Sequence, residues 1–200
     1  MLFKAASFFV LSFLIGGIPS GYLLFMLVKH ADIRDFGSGN IGFTNVARSA
    51  GAFLGAVVLI LDAGKAYLAV RLFSTFFEQE RIFMPIFGCA VIAGNILNPY
   101  LGFRGGKGVA TGAGAFVPIA PLAVLGALVV FGLVAGVSRY VSLGSVCGAA
   151  ALAALLFALE GPGAAAAAGL VVALLVIAKH HENLARLLRG DERRLGSRAT

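Results

Sequence analysis

The sequence predicts an all-α, polytopic membrane protein, and three observations carry that prediction. Its mean hydropathy is +0.96, with 60% hydrophobic and 12% charged residues, a balance far from that of a soluble domain. Apolar runs long enough to cross a bilayer as helices recur from end to end, and no polar stretch between them is large enough to fold alone. The basic excess concentrates in three polar stretches, which is how loops on one side of a membrane are marked. Residues 1–200 are therefore expected to form a single integral membrane domain.

The first span runs from about Ala5 to Leu27. Lys4 ahead of an apolar run has the look of a signal peptide, but the run is too long and lacks a small-x-small cleavage site before a polar chain, so it reads as a retained span. Pro19, Ser20 and Gly21 predict that its last turns are kinked or opened toward neighbours. After the polar stretch that begins at Lys29, the second span covers Ala52 to Phe73. It holds Asp62 and Lys65 on one helical face, where buried charges should pair with each other or with polar loops. A short acidic loop, FEQER, leads to a third span from Ile82 to about Leu97.

Val109 to Val137 is apolar throughout but interrupted by Pro118 and Pro121, and its reading decides the topology. Beyond it, Val141 to Leu159 and Ala164 to Ala178 are two more spans, separated by EGPG. The tail carries Lys179, Arg186, Arg189, Arg193, Arg194 and Arg198, so the positive-inside rule places it in the cytoplasm with the basic loops at 29–48 and 104–107. A single span over Val109 to Val137 would put the tail opposite those loops. Two shorter segments, Val109 to Phe116 and Ile119 to Val137, turning at VPIAP, bring every basic loop inside, Arg139 included, and leave FEQER and EGPG outside. The expectation is seven membrane helices, two of them short and forming a broken pair, with the N-terminus outside and the C-terminus cytoplasmic.

In such a chain a net charge of +7 reports topology and contact with anionic lipid, not nucleic acid. Cys89 and Cys147 sit in apolar segments, where a free thiol behaves as a small hydrophobe, and imply neither disulfide nor metal.

The polar stretches carry the chemistry. In NILNPYLGFRGGKGVATG, glycines around Arg104 and Lys107 free the backbone to curl its N–H groups into one concavity, and the helix that begins at VATGAG turns its positive end to the same place. That arrangement suits an anion. It is not a nucleotide-binding P-loop, because Leu101 and Gly108 stand where that motif needs glycine and a hydroxyl. Gly37, Gly39 and Gly42 formally satisfy a dinucleotide fingerprint, with Asp62 further on, but both flanks are helical spans and no strand precedes it. What remains there is a hydrogen-bonding set: Ser38, Asn40, Thr44, Asn45 and Arg48. In the tail, His180, His181, Glu182, Asn183 and Arg186 emerge at the membrane surface, and Leu184, Leu187 and Leu188 make an amphipathic surface helix. Adjacent histidines point about 100° apart on a helix and no third ligand is spaced to join them, which argues against zinc. The arginines beyond position 188 are expected to contact lipid headgroups.

GSGNIGFTNVAR, LGFRGGKGVAT and HENLARLLRGDE together resemble the three motifs of the bacterial acyl-phosphate-dependent glycerol-3-phosphate acyltransferases, the PlsY family, and the similarity extends to IPSGY and to the Asp62–Lys65 pair. The resemblance implies a multi-pass enzyme of the bacterial cytoplasmic (inner) membrane with its active site facing the cytoplasm. It implies transfer of an acyl group from a long-chain acyl phosphate to the 1-hydroxyl of sn-glycerol 3-phosphate, giving lysophosphatidic acid and inorganic phosphate, the first acylation of phospholipid synthesis. Its partners would be those two substrates, membrane lipid and the enzyme that produces the acyl phosphate, with no cofactor and no metal.

Carried over by position, the resemblance makes Ser38, Arg48, Lys107, His180 and Asn183 the catalytic set. Gly39, Asn40, Thr44, Asn45, Arg104, Gly105, Gly106, Gly108, Thr111, Glu182 and Arg186 become substrate or phosphate contacts, with the flanking glycine amides joining Lys107 as the phosphate holder. This chain departs from the pattern at Gly94-Asn95, where Gly-His is common, at Pro99, which is displaced, and at His181, where a basic residue is usual. An acyl phosphate is already activated, so such an enzyme needs no covalent nucleophile; it gathers two anions and stabilises the leaving phosphate. The general base is either His180 or a phosphate oxygen of the substrate. A transporter of a phosphorylated solute would instead hold its polar residues at mid-membrane in paired repeats, and this sequence shows no repeat.

Overall fold

The computed structural model describes residues 1–77 and 82–196, and among the described residues every regular element is a helix. The helices are α1 (Leu2–Gly17), α2 (Ser20–Lys29), α3 (Phe43–Ala50), α4 (Ala52–Ser74), α5 (Phe83–Leu97), α6 (Val109–Phe116), α7 (Pro121–Ser138), α8 (Val141–Glu160), α9 (Ala164–Lys179) and α10 (His181–Arg189). Among the described residues five stretches are long and apolar enough to cross a membrane: Leu2–Lys29, Ala52–Phe77, Phe83–Leu101, Pro121–Ser138 and Val141–Glu160. A sixth arises if α9 and α10 are joined across their 54° bend. The acidic loop read from FEQER falls largely on residues 78–81, outside the described residues, as do Arg198 and its neighbours at 197–200.

Proline sets two of the breaks. Pro19 has no N–H to continue α1, and the chain restarts at Ser20 as α2. The carbonyl of Ile18 at this break accepts from Lys65 Nζ at 2.5 Å, and the same ammonium pairs with Asp62 Oδ1 at 2.7 Å. The two charges in the second span thus pair with each other, and together they satisfy a backbone group in a region where an unmet one is costly. The second break separates α6 from α7. Val109–Phe116 is helical as expected, but α7 starts at Pro121 and not at Ile119, because a proline fits the first helical position, where no intrahelical N–H is needed. With eight residues, α6 extends only about 12 Å, less than half of a bilayer core.

Small residues let the helices approach backbone to backbone, as membrane helices do. A methyl group added at Gly16 of α1 would stand 1.9 Å from the Val91 carbonyl oxygen of α5, and one at Gly114 of α6 would stand 2.0 Å from that of Ala63 in α4. At one end of the bundle Phe8, Phe73, Phe77, Phe83 and Phe87 pack as an aromatic cluster, beside which Lys4 donates to the Phe76 carbonyl at 3.2 Å. The polar stretches meet at the other end. Arg193 donates to the Gly37 carbonyl, Arg48 to that of Arg193, Lys107 to Asn183, and Arg139 to the carbonyl of Leu195. The basic loops that parity assigned to one side do share one end of the molecule.

Candidate functional site

Residues of α3 to α10 and of the polar loops between them line a cavity of about 270 Å³ that is polar at the loop end and apolar between α7, α8 and α9. Its first wall is built by Asn45, which is buried in α3. The Asn45 side chain accepts from the Ser38 N–H at 2.9 Å and donates to the Phe36 carbonyl at 2.9 Å, so it folds the segment 36–38 back over the start of α3. Asn40 accepts from the Gly42 N–H at 2.9 Å, a local turn that leads into α3. Ser38, Thr44 and Arg48 then face the cavity from this wall. Asn45 lines it too, but its amide is committed to the loop, so it positions the wall and does not supply a free contact.

The second wall is the turn from α5 to α6. Gly106 donates its N–H to the Asn95 carbonyl at 3.0 Å, and Gly105 lies so close that a Cβ there would be 2.1 Å from the same oxygen. Both glycines are therefore packed against Asn95; the Gly106 amide is committed to that carbonyl, although Gly106 itself lines the cavity. Gly105 is absent from the cavity lining. The start of α6 comes one step later: Gly108, with φ +77°, caps the helix, and Lys107 ahead of the cap, with Val109, Ala110 and Thr111 of the first turn, lines the cavity. First-turn N–H groups lack intrahelical acceptors and carry the positive end of the helix dipole. Arg104, expected as a phosphate contact, is exposed and outside the lining, because the chain turns away before reaching Lys107.

His180, at the junction of α9 and α10, begins the third wall. It is 3% exposed, and its Nδ1 lies 2.7 Å from the Val176 carbonyl. A carbonyl only accepts, so Nδ1 carries the hydrogen and Nε2 keeps its lone pair. Burial pushes the His180 pKa down to about 4, with Lys107 adding to the effect, and the ring is neutral at physiological pH. Asn183 accepts from Lys107 Nζ at Oδ1. Burial also pushes Lys107 down, to about 8, with the neighbouring Arg186 and Arg48 opposing its charge and Glu192 supporting it.

Two further charged residues line the cavity that the sequence reading did not place in the site. Glu192 is buried and accepts from Asn183 Nδ2 at 2.6 Å, from Ser142 Oγ at 2.9 Å and from Arg186 Nε at 2.7 Å. Burial alone would raise its pKa, but these three hydrogen bonds hold it below the usual carboxylate value. Arg193, expected among lipid headgroups, instead lines the cavity and donates to the Gly37 carbonyl at 3.1 Å. The signals in the sequence were the run of charge that follows Gly190 and, for Glu192, its place at the end of the motif HENLARLLRGDE. Conversely, Gly39 and Glu182 lie outside the lining. Gly39 closes a turn by donating to the Phe36 carbonyl, and the exposed Glu182 pairs with Arg186 at 3.8 Å.

Arg48, Lys107, Arg186 and Arg193 thus face the cavity, against Glu192 and an Asp62 already neutralised by Lys65. The surplus is positive and partly desolvated, which favours phosphate-like anions. Chemically, the site can hold an anion between cations and a helix start, offer a neutral imidazole as proton acceptor, and shelter an apolar chain in the same cavity.

Residues 6–190 match the family model for glycerol-3-phosphate acyltransferase. A glycerol-3-phosphate acyltransferase of Syntrophotalea carbinolica is 45% identical over 191 residues, covering 94% of this chain and 97% of the relative. One from Geobacter sulfurreducens is 40% identical over 183 residues, covering 92% and 93%. The fold is similar to the crystal structure of PlsY, an integral membrane glycerol 3-phosphate acyltransferase, in its glycerol 3-phosphate form, with a TM-score of 0.91 at 33% identity over 96% of each chain. Against the lysophosphatidic acid form of that protein the TM-score is 0.87 at 31% identity, over 96% of this chain and 95% of the other.

Proposed function

Because the chain belongs to the glycerol-3-phosphate acyltransferase family, the PlsY family of integral membrane acyltransferases, we propose that it transfers an acyl group from acyl phosphate to the sn-1 hydroxyl of glycerol 3-phosphate. The observation that carries this reading is the union, in one cavity, of a cationic end made by Arg48, Lys107, Arg186 and Arg193 with an apolar arm between α7 and α8. An acyl phosphate has that shape and charge. Glycerol 3-phosphate brings the second phosphate, for which the surplus of cations gives room.

In the proposed reaction the cations and the first turn of α6 hold the phosphates, so that the hydroxyl oxygen of glycerol 3-phosphate meets the acyl carbon. A bond forms between these atoms while the acyl carbon–oxygen bond to phosphate breaks, and lysophosphatidic acid and inorganic phosphate result. Lys107 neutralises charge developing on the leaving phosphate, and Asn183 aims it. The hydroxyl proton passes either to Nε2 of His180, whose lone pair is free for it, or to a phosphate oxygen of the donor. Ser38, Asn40 and Thr44 contribute hydroxyl and amide contacts for substrate.

Residues 1–200 form one membrane unit in this reading, with seven segments once α6 is counted as the short half of the α6–α7 pair and α9 as a span. The N-terminus lies outside, and the site opens to the cytoplasm from the bacterial inner membrane. The meeting of the basic loops at one end of the molecule supports that orientation. The enzyme that makes the acyl phosphate would be its supplier.

The test is direct. Purified protein incubated with palmitoyl phosphate and glycerol 3-phosphate should yield lysophosphatidic acid and phosphate in equal amounts. Absence of product, with the same protein folded and binding glycerol 3-phosphate, would overturn the donor assignment.

A further inference from the structure

The apolar arm of the cavity has an end. On α8 the lining advances from Ser142, beside Glu192, to Leu152 and stops there; on α7 it stops at Val124, and on α9 at Val172. The helix register brings these three to one level. Gly148 of α8 packs against Ala127 and Phe131 of α7, and Gly169 of α9 packs against Ala153 and Leu156 of α8, which sets Val124 and Val172 beside Leu152. Leu156, one turn further along α8, and Phe116 at the end of α6 belong to the same core cluster, both 0% exposed and outside the lining. Leu152, Val124 and Val172 are themselves buried in the same core cluster.

We propose that Leu152 and Val124, with Val172, form an end wall that measures the acyl chain. This inference rests on the acyl-phosphate reading of the site. Along α8 the ten residues from Ser142 to Leu152 rise about 15 Å. An extended alkyl chain advances about 1.25 Å per carbon, the axial share of a bond near 1.5 Å, so about twelve carbons reach the wall. Carbons beyond that turn aside past Leu128, which lines the arm and is 50% exposed on the lipid-facing surface. Up to the wall each added methylene is taken out of water, which is worth up to about fourfold in affinity at ~0.8 kcal/mol. Past it, the gain per carbon stops.

The experiment is a profile of kcat/KM for octanoyl, decanoyl, dodecanoyl, tetradecanoyl and palmitoyl phosphates with the intact protein in detergent at concentrations below micelle formation by the substrates. Efficiency should climb steeply to dodecanoyl and then flatten. Leu152→Ala removes the face of the wall, and the break should move about two carbons longer. Val124→Phe brings the opposite face forward, and the break should move shorter by a similar amount, with the KM for glycerol 3-phosphate unchanged in both because the polar end lies about 15 Å away. Val172→Ile, a gentler filling of the same level, gives the same direction as Val124→Phe where that variant does not fold. A profile with no break, or a break that stays at the same length in folded variants, would overturn the end wall. Failure of the unmodified protein to use any acyl phosphate would instead overturn the donor assignment, so the two failures are told apart.

Discussion

The ammonium of Lys107 donates to Oδ1 of Asn183, joining the turn before α6 to a helix 76 residues further along the chain. Asn183 in turn donates to Glu192, which also receives Ser142 and Arg186. A single carboxylate thereby aligns groups from α8, α10 and the α5–α6 turn around one cavity. The lysine is held by its neighbours before any anion arrives, and such pre-organisation is what lets a cation act on a leaving group without first reorganising.

Replacing Lys107 or Arg48 by Ala should remove most activity while leaving the protein folded. Each substitution deprives a bound phosphate of a charge-assisted partner worth about 1.5–3 kcal/mol, which is at least about tenfold in rate. Steady-state kinetics at low substrate concentration check this; near-normal turnover in either variant would remove that residue from the proposed site.

Glu192→Gln tests the positioning carboxylate by a readout that a merely structural residue would leave still. Glu192 supports the charge on Lys107, so its neutralisation should lower the lysine pKa further from about 8. The alkaline limb of the pH–activity profile should shift to lower pH, with kcat falling more than KM rises. An unshifted limb in a folded variant would limit Glu192 to holding the tail in place.

The pH dependence of the unmodified protein follows from the same groups. Lys107 acts as a cation, which it remains below about pH 8, so activity should decline as pH rises through that value. Lys107→Arg should carry the decline to higher pH. His180 stays neutral down to about 4 in the fold but titrates near 6.5 when unfolded, so the unfolded state binds more protons between those values. Stability should accordingly fall as pH drops from 6.5 toward 4, and His180→Gln should flatten that loss in thermal unfolding across the window.

The breaks in the bundle were legible because proline acts locally: Pro19 ends α1, and Pro118 with Pro121 splits the longest apolar run, whatever packs around them. Lys107 and His180 were legible because a cation among glycines and a histidine at the end of a span are unusual in apolar sequence. Glu192 was not, since an acid beside Asp191 and before two arginines reads as solvated charge; its role depends on the tail folding back to Ser142, 50 residues away. For the same reason the amides of Gly105 and Gly106 looked available. Only the fold brings the Asn95 carbonyl against them.

Orientation can be read by labelling. In a background with Cys89 and Cys147 replaced by Ala, a cysteine at Gly163, between α8 and α9, should react with a membrane-impermeant maleimide added to intact cells. A cysteine at the exposed Arg189, at the end of α10, should react only after the membrane is opened. Labelling of position 189 from outside would reverse the positive-inside argument and turn the cavity away from the cytoplasm.

The reaction should need neither metal nor a coenzyme A handle. Magnesium would hold a phosphate here only through carboxylate oxygens, and the carboxylate in the polar end of the cavity is Glu192, whose oxygens already accept from Ser142, Asn183 and Arg186. Asp62 is engaged by Lys65, and Glu182 is exposed outside the lining. Charge on the phosphates is met instead by Arg48, Lys107, Arg186 and Arg193. Turnover should therefore persist in excess EDTA, and palmitoyl-CoA should not replace palmitoyl phosphate, because in the proposed reaction the mixed anhydride supplies both the activation and the charge. Activity lost on chelation and restored by magnesium would mean that Glu192 exchanges its protein partners for a metal, and Glu192→Gln, which keeps a hydrogen-bonding oxygen but not the charge, would then abolish the magnesium response.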